Sequence, residues 1–119
     1  MNTLRLGCLL VAVGIAGGSG GSLVQSTPAS AAKRLNPYEG DDHAKRAGAK
    51  LYGRECASCH GANREGRNAP PLDQLEVHKA PSGTLFWVLR NGSLHRGMPS
   101  FAYLTEAQRW QIVTFLRSR

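Results

Sequence analysis

The sequence predicts an all-α fold of three to four short helices, and three observations carry this prediction. Small and apolar residues recur at helical spacing between residues 44 and 52, just after two aspartates that can cap a helix. Residues 85–89 are almost continuously apolar and are soon followed by Asn-Gly at 91–92, a pair typical of helix C-termini. Residues 105–108 form a Thr-Glu-Ala-Gln capping box, after which bulky apolar residues follow.

The first predicted helix follows Asp41 or Asp42 and has one small or apolar face. Its members lie three and four residues apart: Ala44, Ala47, Gly48, Leu51 and Tyr52. A glycine inside a helix costs up to about 1 kcal/mol relative to alanine. We therefore expect another helix to approach closely at Gly48.

The N-terminal residues 1–31 have the layout of a secretory signal peptide. Arg5 precedes the apolar run 6–16, and a Gly/Ser-rich stretch ends in Ala-Ser-Ala at 29–31, where a signal peptidase could cut. A retained membrane anchor is the alternative, but this run is far shorter than the ~20 residues that a transmembrane helix needs. We expect cleavage after Ala31, a linker or lead-in over residues 32–40, a domain over residues 41–119 and a periplasmic protein.

Cysteine usage isolates one motif. The sequence has three cysteines, and we expect Cys8 to be removed with the signal peptide, which leaves only Cys56 and Cys59. Together with His60 they form Cys-x-x-Cys-His, the pattern of c-type haem attachment. Two intervening residues let both sulfurs reach the vinyl groups on one haem edge, and the next residue brings an imidazole under the iron. The sequence therefore predicts one covalently bound haem c.

Other interpretations of this pentapeptide have less support. A cycling disulfide of the thioredoxin type would need a βαβ pattern around the motif, and none is visible. A zinc module would need a second Cys/His pair, whereas His78 and His95 are single and far apart. Two cysteines that are merely buried small hydrophobes would not explain the adjacent histidine.

A stiff Pro-Pro pair follows the motif at residues 70–71. A haem-ligating histidine needs an acceptor for its second ring nitrogen, commonly a backbone carbonyl, which fixes the tautomer and raises the ligand's basicity. A rigid segment shortly after His60 is well suited to present one. Two prolines that only shape a turn are the alternative, and both descriptions can hold together.

Met98 is the candidate sixth ligand of the iron. It is the only methionine beyond residue 31, loop residues flank it, and Pro99 limits the backbone just after it. Its thioether is a soft ligand, and Met/His ligation raises the reduction potential. Core packing is the usual role of a lone methionine. His95 and then His78 are the rival ligands, and we expect both to be surface residues instead.

Charge points to the class of partner. Beyond residue 31 the chain has a formal charge of +6, which two haem propionates would lower to about +4. A basic surface favours acidic partner proteins or the headgroups of a membrane, although solubility alone is an equal explanation. Nucleic acid is a poor candidate for an exported protein.

With both ligand stretches placed, the chain resembles class I cytochromes c, and especially the short single-haem modules related to the third subunit of cbb3-type oxidases. The resemblance spans about residues 44–116. The matching features are Gly48 with Tyr52, Cys56-x-x-Cys59-His60-Gly61, Ala69-Pro70-Pro71-Leu72, Gly97-Met98-Pro99-Ser100-Phe101 and the segment 110–116.

The resemblance implies a role for each matching residue. Cys56 and Cys59 would carry the thioethers, and His60 and Met98 would be the axial ligands of the iron. Pro70 matches the residue whose carbonyl holds the proximal histidine. Gly48 matches the point where the first and last helices cross.

The implied function is electron transfer by a single haem that cycles between Fe(III) and Fe(II), not enzymatic catalysis. The implied partners are redox proteins such as a dehydrogenase, an oxidase or a bc1-type complex, with peripheral membrane association as an option. The alternatives are a haem peroxidase whose sixth site opens when Met98 leaves, a thiol-disulfide oxidoreductase that uses Cys56 and Cys59, and a zinc-binding module.

Overall fold

The computed structural model describes residues 26–119, so the predicted leader, residues 1–31, lies outside the described residues except for its last part. The helices are Ala29–Ala32 (α1), Asp42–Glu55 (α2), Ala57–His60 (α3), Leu75–Lys79 (α4), Ser82–Asn91 (α5) and Glu106–Arg117 (α6), with a 3-10 turn at Leu94–Arg96. Within residues 26–119 there is no β-strand, only an isolated bridge between Ser93 and Met98. The all-α prediction is confirmed; the helices beyond the expected three to four are single turns.

The first long helix begins where the sequence predicts. The Asp41 side chain accepts hydrogen bonds from the backbone N–H groups of His43 and Ala44, at 2.8 and 3.0 Å. These bonds satisfy two of the donors that every helix N-terminus leaves open. The buried face of α2 then consists of Ala44, Gly48, Leu51 and Tyr52.

Helices α2 and α6 cross at Gly48, as the sequence predicts. A Cβ atom added at Gly48 would overlap the carbonyl oxygen of Gln111 and approach the Cβ of Phe115. Only a glycine lets the two backbones come this close. One turn further along α2, Tyr52 packs against Phe115 with ring centroids 5.3 Å apart. This crossing fixes the C-terminal end of α2, which leads directly into the Cys-x-x-Cys-His motif.

Helix α5 closes the core from the other side of α6. The rings of Phe86 and Trp110 stack with centroids 3.9 Å apart and 20° between their planes. Ile112 and Val113 of α6 are fully buried beside them. From the sequence, Ser82 is expected to cap a helix over residues 83–90, and this expectation is wrong. Pro81 occupies the N-cap position, and Ser82 donates its hydroxyl to Glu39 at 2.8 Å.

The segment before α2 is packed against the domain. Helix α1 lies so close to α5 that a Cβ at Gly83 would overlap the carbonyl oxygen of Ala31. Further on, buried Asn36 donates to the Thr114 hydroxyl of α6 at 2.9 Å. The expected cleavage point after Ala31 therefore falls inside α1, and the limits of the mature chain stay a prediction.

None of the helices in residues 26–119 has the length and apolar character needed to cross a membrane.

Candidate haem-binding site

The Cys-x-x-Cys-His motif forms one further helical turn at the end of α2. Cys56 is the residue that joins α2 to α3, and its N–H donates to the Tyr52 carbonyl at 2.9 Å. The N–H groups of Cys59 and His60 both donate to the Cys56 carbonyl, at 3.2 and 2.9 Å. A helical turn brings residues three and four apart to the same face. Cys56, Cys59 and His60 therefore lie on adjoining parts of one short turn.

The two cysteines have different surroundings. Cys56 is buried in the apolar core, Cys59 is exposed, and both are free thiols. Burial, reinforced by the nearby charges of Glu55 and Cys59, raises the pKa of the Cys56 thiol to about 12. A thiol-disulfide enzyme needs a readily ionised, accessible thiolate. The first cysteine of this motif lacks both properties.

His60 is held in one tautomer by the loop that follows it. Its Nδ1 lies 2.7 Å from the carbonyl oxygen of Pro70. A carbonyl only accepts hydrogen bonds, so Nδ1 carries a proton, and in the neutral ring Nε2 is then the nitrogen with the lone pair. A neutral imidazole with a free Nε2 is the form that binds a metal ion.

The loop between His60 and Leu72 folds back on the motif through backbone hydrogen bonds. The Gly66 N–H donates to the His60 carbonyl at 2.7 Å, and the Ala69 N–H donates to the Cys59 carbonyl at 3.0 Å. The buried hydroxyl of Tyr52 donates to the Gly61 carbonyl at 2.6 Å. These bonds place the Pro70 carbonyl beside the imidazole and leave it little freedom to move away.

Met98 lies in a tight reversal of the chain after α5. Its N–H and carbonyl exchange hydrogen bonds with the carbonyl and N–H of Ser93, at 3.0 and 2.8 Å. Gly97, just before it, has a φ of +84°, a left-handed conformation that glycine adopts without strain. The Met98 side chain is partly buried and packs against the same apolar cluster that contains Cys56. The two predicted ligand segments thus meet on one core.

The two rival ligands have different environments. His95 is exposed, as expected for a surface residue, and its Nδ1 is 3.4 Å from the Ser93 hydroxyl. The expectation that His78 lies on the surface is wrong. Its side chain is only 10% exposed, because α4 packs against α6, and its Nε2 lies 3.2 Å from the Asp73 carboxylate.

The donor set and its apolar surroundings fit a haem. Ala57, Leu72 and Met98 are partly buried hydrophobic residues on the core, and Leu94 is 78% exposed. All four belong to, or border, the segments that carry the predicted ligands, and they offer apolar surface that a haem could bury. In the part of the chain that the structure describes, no three His, Cys, Asp or Glu side chains group to hold a metal ion.

Two contributors at this site were not expected from the sequence. The Tyr52 hydroxyl holds Gly61, although the helical stripe only predicted a buried ring. Arg109 is buried on α6 and donates to three backbone carbonyls after Met98. Its spacing offered a signal, because residue 109 shares a helix face with the buried Ile112 and Val113.

Comparison with known proteins finds one matching family and similar folds. Residues 43–116 match the protein family described as cytochrome c oxidase, cbb3-type, subunit III. The fold is similar to that of cytochrome cL from the marine methylotrophic bacterium Methylophaga aminisulfidivorans, with a TM-score of 0.59 and 28% identity over 68% of this chain. It is also similar to that of cytochrome cL from Hyphomicrobium denitrificans, with a TM-score of 0.60 and 17% identity over 80% of this chain.

These likenesses cover only part of the larger proteins. The chain spans 56% of the Methylophaga protein and 64% of the Hyphomicrobium protein. No curated protein matches the chain.

Proposed function

Since the chain belongs to the family of cytochrome c oxidase, cbb3-type, subunit III, we propose that it is an electron carrier with one covalently bound haem c and His/Met axial ligation. Membership makes it a c-type cytochrome, and electron transfer without catalysis is the role that we propose for it. The number of haems, their attachment and the identity of the ligands are the proposal.

The observation that carries the proposal is the 2.7 Å contact between His60 Nδ1 and the Pro70 carbonyl oxygen. It assigns the imidazole a tautomer and an orientation suited to ligation, in a chain that offers Cys56 and Cys59 at the same turn. When bound, the haem supplies a one-electron Fe(III)/Fe(II) couple. By accepting the hydrogen bond from Nδ1, the Pro70 carbonyl raises the basicity of Nε2.

Met98 is the proposed second axial ligand. Its backbone is fixed by the paired hydrogen bonds to Ser93, and Pro99 restricts the next φ angle. A thioether at the sixth position raises the reduction potential and leaves no open site for a substrate. A closed site of this kind suits a carrier that exchanges electrons and nothing else.

The partners and compartment are proposed from charge and from the sequence of the leader. An exported, basic protein favours acidic docking surfaces on redox proteins such as a dehydrogenase, an oxidase or a bc1-type complex. A periplasmic location follows from the signal-peptide layout of residues 1–31. Peripheral contact with a membrane is compatible with the same charge.

The experiment is a pyridine haemochrome assay and intact-mass measurement on the full chain expressed with a periplasmic haem-attachment system. We expect the spectrum of haem c and the mass of one haem on the mature chain. A matched variant, Cys56→Ala with Cys59→Ala, should carry no covalent haem. A wild-type protein that binds zinc, or that shows a Cys56–Cys59 disulfide in place of haem, would contradict the proposal.

A further inference from the structure

One buried side chain holds the segment that follows Met98. Arg109 lies on α6 and is 7% exposed. Its Nη1 donates to the backbone carbonyls of Phe101, Ala102 and Leu104, at 3.4, 3.2 and 2.8 Å. These carbonyls belong to a loop without regular structure, where unpaired buried acceptors would be costly. Arg109 thus adds three contacts to the loop's own hydrogen bonds, such as the one from the Leu104 N–H to the Phe101 carbonyl at 3.1 Å.

A guanidinium in this position is expensive, which points away from simple core filling. Its neighbours on the same face of α6, Ile112 and Val113, are fully buried and apolar. Burial lowers the pKa of Arg109, the direction expected when a cation loses water. The cation also lies over the ring of Phe86, 5.0 Å from its centroid, which recovers part of this cost. An aliphatic residue would have packed here without any desolvation penalty.

The loop is short and stiff between Met98 and the carbonyls that Arg109 binds. Pro99 restricts the backbone, and the Ser100 hydroxyl donates to the Arg90 carbonyl at 2.6 Å. The Phe101 N–H donates to the Leu89 carbonyl at 2.9 Å. These two bonds hold one side of the loop to α5, and Arg109 holds its other side to α6. Movement of the loop away from α6 would therefore be transmitted through Pro99 to Met98, whose backbone makes two hydrogen bonds with Ser93.

Arg109 also connects the Met98 loop to the elements that carry the Cys-x-x-Cys-His motif. Helix α6 carries Arg109 and crosses α2 at Gly48, and α2 leads directly into Cys56 and His60. Arg109 consequently fixes the Met98 loop to the same pair of helices that positions the proximal histidine.

From these contacts we propose that Arg109 is a positioning residue for the sixth ligand: it holds residues 99–104 on α6 and so limits how far the Met98 sulfur can move from the iron. The proposal rests on the proposed His60/Met98 ligation. It assigns Arg109 no contact with the haem.

Two substitutions at Arg109 weaken its hydrogen bonds to the loop to different degrees. Arg109→Gln removes the charge and shortens the reach, so the three carbonyls lose their shared donor. Arg109→Lys keeps the charge and a single donor nitrogen, but its side chain is one bond shorter than the path to Nη1, so the ammonium cannot lie where Nη1 meets all three carbonyls. The matched control is Arg34→Met, because the Arg34 cation lies over the same Phe86 ring at 4.6 Å but donates to the Glu106 carboxylate at the start of α6 and not to the loop carbonyls.

The measurements are made on ferric holoprotein, in which the covalent haem cannot dissociate. Imidazole is titrated as a competitor for the sixth position, the long-wavelength sulfur-to-iron band is recorded, and unfolding in denaturant is followed in parallel. We expect Arg109→Gln to bind imidazole about tenfold more tightly than the wild type, the effect of losing charged hydrogen bonds. Its sulfur-to-iron band should weaken. Arg109→Lys should lie between the two, and Arg34→Met should bind imidazole as the wild type does.

The outcomes separate positioning from general stability. If Arg109→Gln unfolds at lower denaturant but binds imidazole with wild-type affinity, Arg109 is only structural and the proposal is overturned. Should that variant fail to accumulate, Arg109→Lys decides alone, and wild-type affinity there also overturns the proposal. A wild-type protein without the sulfur-to-iron band would instead refute Met98 ligation, and the proposal with it.

Discussion

Three side chains around the candidate site direct their polar groups at backbone carbonyls. His60 donates to Pro70, Tyr52 donates to Gly61, and Arg109 donates to the loop after Met98. Each bond fixes a segment that has no helix or strand to stabilise it. At the scale of the residue, irregular loops are thus held by side chains from the regular helices or the motif.

Tyr52→Phe tests one of these bonds. Loss of the hydroxyl leaves the Gly61 carbonyl without this donor in a buried place, so we expect the free energy of unfolding to fall by about 1–2 kcal/mol. Urea unfolding of the holoprotein measures this. Tyr103→Phe is the control, since its hydroxyl also donates to a protein oxygen, on Glu55, but from a ring that is 69% exposed. Equal losses in the two variants would refute the argument from burial.

The effect of Tyr52→Phe on the free energy of unfolding should depend on pH. Burial raises the pKa of Tyr52 from 10.0 to about 12, so the folded state favours the neutral hydroxyl. That contribution to stability is fully present below pH 10.0 and is lost as the pH rises towards 12. Tyr52→Phe should therefore reduce the fall in stability over this alkaline range.

The sequence predicts the roles of the motif residues because the five positions are contiguous. Cys56, Cys59 and His60 are assigned by their spacing alone. Arg109 was not found, because a charge within an apolar stripe is normally a solvated residue at its edge. Only the carbonyls of a loop that approaches from elsewhere explain its burial.

At the scale of the element, α2 contains two glycines, one in contact with another helix and one with open space beside it. Gly48 touches the backbone of α6, whereas a Cβ at Gly53 would meet nothing within 4 Å. The same substitution therefore has opposite expected effects in one helix. Comparing the two substitutions therefore separates the effect of the helix crossing on stability from the effect of intrinsic helix propensity.

We predict that Gly48→Ala lowers the free energy of unfolding by about 1–3 kcal/mol, because overlap with Gln111 outweighs the gain in propensity. Gly53→Ala should raise it by roughly 0.5–1 kcal/mol. Denaturant unfolding of both holoproteins is the measurement. A stabilised Gly48→Ala protein would mean that the helices do not cross at this glycine.

The crossing of α2 and α6 was predictable, since a stripe of small residues on a helix marks a close helix contact. The packing of the lead-in, residues 32–40, against the domain was not predictable. Residues 32–40 have no periodicity, and their contacts are remote in sequence, as between Asn36 and Thr114. Pairings over such distances leave no local pattern. The predicted N-cap of α5 was wrong for a related reason. Ser82 does not cap the helix but donates to Glu39, which belongs to that same lead-in.

The whole molecule has a small core for a stable domain. Residues 41–119 form a chain of a size that often needs a covalent or metal staple. Exposed apolar side chains such as Leu94 border the ligand segments, consistent with a group that completes the core. The fold and the haem are accordingly expected to depend on each other.

Removal of the haem tests this dependence. The full chain with Cys56→Ala and Cys59→Ala, produced without haem, should show weak helicity and no cooperative thermal transition in circular dichroism. Holoprotein produced in parallel should melt cooperatively. A helical, cooperatively melting haem-free chain would show that the protein packs without its cofactor.

The most direct test of the central claim, His60/Met98 ligation of one haem, is the visible and near-infrared absorption spectrum of the ferric holoprotein beside that of Met98→Ala. The account predicts a c-type spectrum with a weak long-wavelength band from sulfur-to-iron ligation. It also predicts that the substitution removes this band while the haem stays attached. A spectrum that Met98→Ala leaves unchanged would contradict the account and transfer the sixth position to another ligand such as His95.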